Sequence, residues 1–161
     1  MTVKEYLKEI RKMDAVIRNK LIEIQQLDDM KYSITAPLGN EVVQTSPNND
    51  KIADLIAKID ELEEITANER SNMLDARRER IKVIEQLPDA NQYDLLHMMY
   101  VQQKSLKGAS IDIGVAYDTA KDIHGKALEY IRKNVTVPGV EFTRKPPNHT
   151  KSPKKPPFFV V

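Results

Sequence analysis

The 161-residue sequence has no cysteine and no tryptophan, and aromatic residues make up only 6% of it. Without cysteine there are no disulfides, no thiolate metal ligands and no thiol nucleophile. A core this short of aromatics has to be assembled from Ile, Leu, Val, Ala and Met, which suits helix-on-helix packing better than a β-sandwich. Histidine is scarce as well. His97, His124 and His149 are far apart and none stands in an H-E-x-x-H or related spacing, so no metal and no cofactor is expected. Apolar runs of the roughly 18 residues that a membrane span needs are missing too. The first residues, MTVKEYLKEIRK, are charged and amphipathic, unlike a secretory leader, so a cytoplasmic protein without membrane contact is expected. Carboxylates are plentiful, but nothing pairs two of them in a pocket, and the chain is not expected to be an enzyme.

Acidic residues stop at Glu141, and the five basic residues beyond it (Arg144, Lys145, Lys151, Lys154 and Lys155) exceed the whole formal charge of +1. The body is therefore mildly acidic and the end is basic. Five of the nine prolines also fall in residues 142–161, FTRKPPNHTKSPKKPPFFVV, where an extended or disordered segment is expected in place of a packed helix, within a basic, Pro-rich tail at 136–161. Its Lys and Arg residues suit non-specific phosphate contact, and Phe158 and Phe159 suit docking on a partner or on the body.

What the chain does have is helical periodicity. Val3, Leu7, Ile10, Met13, Ile17, Leu21, Ile24 and Leu27 recur at steps of three and four, with Glu5, Lys8, Arg11, Arg18 and Glu23 on the opposite face. This predicts a long amphipathic helix from Val3 to about Met30. The turn-rich segment SITAPLGNEVVQTSPNND, residues 33–50, ends it. A second long helix is expected from Asn49 or Asp50 to Leu87, with Ile52, Leu55, Ile59, Leu62, Met73, Ala76, Val83 and Leu87 on one side. Asn68, Glu69, Arg70 and Ser71 interrupt that stripe and suggest a register change or a kink. Neither stripe can be left in water, so residues 1–87 should fold back as an antiparallel hairpin that serves as scaffold or dimerisation element. The fold class expected is all-α, a long antiparallel helical hairpin followed by a small helix-turn-helix domain at 88–135.

Pro88 and Asp89 mark the break, with Asp89 and Gln92 spaced as a capping box for a helix from about Asn91 to Gln103. After it, KSLKGASIDIGVAYDTAKDIHGKALEYIRKN carries two apolar stripes on either side of Gly114: Leu106, Ala109 and Ile113, then Ala120, Ile123, Ala127 and Ile131. A glycine fits the left-handed end of a helix, which a residue with a Cβ adopts only at a cost of about 1 kcal/mol or more. Two helices hinged in this way are what a helix-turn-helix uses to place one of them in a DNA groove. On this register Tyr117, Asp118, Lys121, Asp122 and Gly125 face outward, where base edges would be read, and Lys104, Lys107, Lys126, Arg132 and Lys133 can meet phosphates. Asp118 and Asp122 repel phosphate, although a carboxylate accepts from cytosine N4. Gly108 and Ser110 weaken the first helix, and Ala116 stands where an N-cap Ser or Thr is usual. A tri-helical protein-binding surface would show the same periodicity.

The segments KEYLKEIRKMD, SITAPLGNEVVQTS and YDLLHMMYVQQKS, followed by IHGKAL, resemble the small phage-encoded transcription regulators of the ArpU/RinA type, over roughly residues 2–134. The resemblance implies a sigma-factor region-4-like helix-turn-helix: Ser105–Ile113 as supporting helix, Gly114–Ala116 as turn, and Tyr117 to about Ile131 as recognition helix. It implies double-stranded DNA as partner and control of phage or mobile-element genes of the late type; a homodimer through the hairpin is expected from the hairpin's own apolar positions. The alternative is a protein-interaction module that binds RNA polymerase, a repressor, a defence protein or another host protein.

Overall fold

The computed structural model describes residues 1–36 and 48–144. Residues 37–47 and the basic end from Lys145 lie outside those residues; of the turn-rich segment at 33–50, Ser33–Thr35 extend the first helix and Asn48–Asp50 begin the second. Within the described residues the chain is all-helical, as expected from its periodicity. Helix α1 spans Val3–Thr35 and α2 spans Asn48–Glu85, about 50 and 57 Å long at 1.5 Å per residue. A capping box starts α1: the Thr2 hydroxyl accepts from the Glu5 N–H at 3.2 Å, and the Glu5 carboxylate accepts from the Thr2 N–H at 2.8 Å. That acceptance holds the Glu5 carboxyl below its ordinary pKa.

The two helices pair antiparallel. Cross-links run from Glu9 to Arg80, Asp14 to Arg77, Lys20 to Glu69 and Lys31 to Asp60, stepping in opposite directions along the two segments. The half-buried and buried positions of α1 recur every seven residues in two rows: Val3, Ile10, Ile17, Ile24 and Lys31, and Tyr6, Met13, Lys20, Leu27 and Ile34. Those of α2 do the same, as Ile52, Ile59, Thr66, Met73 and Arg80, and as Ile56, Glu63, Arg70, Arg77 and Ile84. A sustained repeat of seven is the pattern of a coiled coil.

This seam corrects the stripe expected for α2. Leu55 and Leu62 are 45% and 49% exposed, and Leu21 of α1 is 45% exposed, so these three lie off the seam. Residues 68–71 bring no break, because α2 passes through them as one helix with the half-buried Arg70 holding the register. Ile81, outside the expected stripe, is buried in the core.

At its base the hairpin merges with the following helices in one core. Val3, Tyr6, Leu7 and Ile10 of α1 meet Ile81, Val83 and Ile84 of α2, and also Leu87, Leu96, Tyr100, Ala127, Ile131 and Val135. The core therefore crosses residue 87, where a domain boundary was expected. Helix α3, Ala90–Leu96, is N-capped by Asp89, whose carboxylate accepts from the Gln92 N–H at 2.9 Å. It continues into a π-helical turn, His97–Val101, in place of the regular helix expected to Gln103. Two short elements complete the fold, α4 at Leu106–Asp112 and α5 at Tyr117–Asn134.

Residues 136–144, expected to begin the tail, pack on the body instead. Val137-Pro138-Gly139-Val140 is a turn closed by a 3.0 Å bond from the Val140 N–H to the Val137 carbonyl, with Gly139 at φ +76°, as type II geometry requires. The turn brings the Phe142 ring edge-on to Tyr6 at 5.4 Å between centroids, and the Thr143 N–H donates to the Met1 carbonyl at 3.0 Å.

Candidate nucleic-acid interface

The two-helix unit is built from short-range chemistry. Ser105 caps α4 by accepting from the Gly108 N–H at 3.1 Å. Gly108 is explained by the same cap, because a Cβ there would stand 3.3 Å from the Ser105 hydroxyl oxygen. At the other end the Gly114 N–H donates to the Ile111 carbonyl at 3.1 Å, and the Val115 N–H donates to the Ser110 carbonyl at 3.0 Å. These two bonds with Gly114 at φ +72° make a Schellman motif. The Val115 side chain completes it by packing on the cluster of Leu95, Ala109 and Ala120. Ser110 is buried, and its hydroxyl donates to the Lys107 carbonyl at 2.7 Å, so no polar atom is stranded there.

Helix α5 leaves this turn with one face fixed and one face free. Ala120, Ala127 and Ile131 are fully buried. Between them His124 turns inward, where its Nε2 and the Tyr100 hydroxyl share a 2.9 Å hydrogen bond and the rings stack. Burial, helped by the charge of Lys4, lowers the His124 pKa to about 4, and burial pushes Tyr100 up to about 12. The pair is thus neutral over the physiological range and ties α5 to the π-turn. Sequence reading chose Ile123 for the apolar stripe and passed over His124, although its spacing of four from Ala120 and seven from Ile131 carried the signal.

On the free face Tyr117, Asp118, Lys121, Asp122, Gly125 and Lys126 are all exposed, as the sequence register requires. Their charges are partly spent on one another. The Lys121 ammonium lies 3.2 Å from Asp118 and 4.6 Å from the centre of the Tyr117 ring. Ala116 makes no side-chain cap, and Asp118 in the first turn compensates through the favourable interaction of an acid with a helix N-terminus.

The residues expected at phosphates separate into two kinds. Lys107 and Lys126 are exposed and make no ion pair with a described residue. Lys104 is bound to Asp112 at 2.5 Å, and Arg132 and Lys133 both hold Glu129, at 2.6 and 3.4 Å. Glu129 also meets Arg144 at 3.3 Å, and its hydrogen bonds, Arg132 first, hold its pKa down to about 2.

A larger basic feature lies where sequence reading placed only a solvated face. A cavity of about 540 Å³ opens between α1 and the π-turn, with Lys4, Lys8, Arg11 and Lys12 along one wall and Lys104 and Ser105 opposite. Leu7, Met99 and Tyr100 form its floor. Just beyond it the Asp14 carboxylate accepts from Arg77 Nε at 2.5 Å and from Gln103 Nε2 at 3.0 Å. That clamp helps hold Gln103 at φ +59°, a costly backbone for a residue other than glycine, and so fixes the approach to α4. Among the described residues no helix is long and apolar enough to cross a membrane. Compared with protein-family models, with curated proteins and with solved structures, the chain finds no match.

Proposed function

We propose that this protein is a DNA-binding transcription regulator of a phage or mobile element, of the late-gene type, acting without catalysis in the cytoplasm of a bacterial host. It reads duplex DNA with the outer face of α5. The observation that carries this reading is the Schellman turn at Gly114, which leaves Tyr117, Asp118, Lys121, Asp122 and Lys126 exposed on a helix whose opposite face is anchored by Ala120, His124, Ala127 and Ile131. The sequence resemblance to ArpU/RinA-type regulators supports the same role. Lys121 releases Asp118 when it turns to a base edge or phosphate, and the freed carboxylate can accept from cytosine N4. A shift assay on the promoter regions of the encoding element, with an Asp118→Ala/Lys121→Ala double substitution, tests it. Loss of preference among promoter fragments supports the reading, and an unchanged preference contradicts it.

A protein partner is a second reading, favoured by the apolar surface of the distal hairpin. Leu55, Leu62, Ile65 and Leu74 of α2 and Leu21 and Ile22 of α1 are all more than two-fifths exposed. Residues spaced seven apart, such as Leu55 and Leu62, suit a second copy of the hairpin in a helical bundle. The mass in solution separates a dimer from a monomer that keeps this surface for RNA polymerase or another host protein.

A further inference from the structure

We propose that the groove between the first turns of α1 and the π-turn holds the sugar-phosphate backbone of the duplex that α5 reads. This rests on the DNA-binding reading above and adds to it the place where the phosphates are gripped.

The outer face of α5 is poorly equipped for that task. Lys121, Arg132 and Lys133 are engaged by Asp118 and Glu129, which leaves Lys126 as the one cation of α5 without an ion pair among the described residues. Lys4, Lys8, Arg11 and Lys12 are in the opposite condition. All four are exposed, they fall at steps of three and four along one side of α1, and none has an acidic group within 4 Å among the described residues.

The acids that could have neutralised them are committed elsewhere. Glu5 caps the helix, Glu9 holds Arg80, and Asp14 holds Arg77 and Gln103. Lys4, in the first turn, also opposes the helix dipole, which favours negative charge at an N-terminus. Four cations within three turns, with no acid paired to them, are an arrangement that an incoming anion stabilises.

The shape points to a strand of phosphates. Charges line one wall in a row, and the apolar floor of Leu7, Met99 and Tyr100 suits the deoxyribose between successive phosphates. The groove reaches Ser105, the N-cap of α4, so a strand lying in it meets the start of the first helix of the two-helix unit. In helix-turn-helix docking the first helix crosses the backbone while the second enters the major groove.

The test uses the full chain and random-sequence duplex DNA, with anisotropy titrations over a range of salt concentrations. The variant Lys4→Gln/Lys8→Gln/Arg11→Gln/Lys12→Gln is compared with Lys51→Gln/Lys58→Gln, which removes exposed charges from the far end of α2. Each lost phosphate contact lowers the slope of log affinity against log salt by about 0.9. The groove variant is expected to lose about 2 to 4 units of slope and at least about tenfold in affinity at moderate salt. The distal variant should bind like the parent, and circular dichroism should be the same for all three. Arg in place of the three lysines should restore binding. Parent-like binding by the groove variant, or equal losses in both variants, overturns the proposal while the DNA-binding reading stands, and parent-like binding leaves the groove to an acidic protein segment. A parent chain that fails to bind duplex even at low salt overturns both.

Discussion

Near the base of the hairpin Leu7, Ile10 and Ile84 are fully buried, whereas farther along the same two helices Leu55 and Leu62 are nearly half exposed. The base is held by burial of apolar surface from α1, α2, α3, the π-turn and α5 together. The distal part has only two helices, and two helices cannot enclose a wide apolar face. Its seam accordingly mixes Ile24, Leu27, Ile56 and Ile59 with Lys20, Lys31, Glu63, Thr66, Arg70 and Arg77, and its register is helped by complementary charge. Solvent-accessible pairs such as Lys20–Glu69 and Lys31–Asp60 add little stability, about 0 to 1 kcal/mol each, but they penalise the wrong alignment. Rigidity is thus concentrated where α5 is mounted, and specificity of pairing is concentrated in the arm.

The largest effect should come from breaking the base. Ile131→Ala empties a fully buried site between α5 and the hairpin and should cost about 2 to 5 kcal/mol in urea unfolding. Acid should act next. His124 is held neutral down to about pH 4 when folded, while in the unfolded chain it takes a proton below its ordinary 6.5. The unfolded state therefore binds more protons in that window, and stability should fall as pH drops from 6.5 toward 4, with no contribution from His124 above it. His124→Gln should flatten the melting temperature against pH over that range.

At the junction of the two regions, Asp14→Ala removes the acceptor shared by Arg77 and Gln103 and should cost about 1 to 3 kcal/mol. Hydrogen exchange should show faster opening around Gln103 and the start of α4. In the arm the smallest effect should have the opposite sign. Arg70 Nε is buried at the seam without a hydrogen-bond partner, so Arg70→Leu should stabilise the hairpin by about 1 kcal/mol in thermal unfolding. A loss of stability there would mean that the arm depends on Arg70 as the base depends on Ile131.

The all-helical fold, the N-cap at Asp89 and the hinge at Gly114 were legible because each rests on neighbouring residues: a periodic stripe, a capping spacing, a backbone that glycine tolerates. The seam of α2 was harder to read because half of its positions are polar, and an apolar stripe drawn through Leu55 and Leu62 runs beside the true one. A strict count of seven from Ile52 through Ile59, Thr66 and Met73 to Arg80 recovers it. The Pro138-Gly139 turn was also readable, since Pro followed by Gly is the signature of type II geometry. Its consequence, Phe142 packed on Tyr6, was not, because that contact joins the two ends of the described chain. The basic groove was hidden for a similar reason. Lys4, Lys8, Arg11 and Lys12 look like any solvated helix face until the π-turn, far away in sequence, supplies the other wall.

The regulator role is decided by whether the purified protein binds duplex DNA, measured on random and promoter-derived fragments at low and at physiological salt. It predicts clear binding at low salt that weakens steeply as salt rises, with a promoter fragment retained longest. Absence of binding at low salt, or binding that salt leaves unchanged, would contradict it.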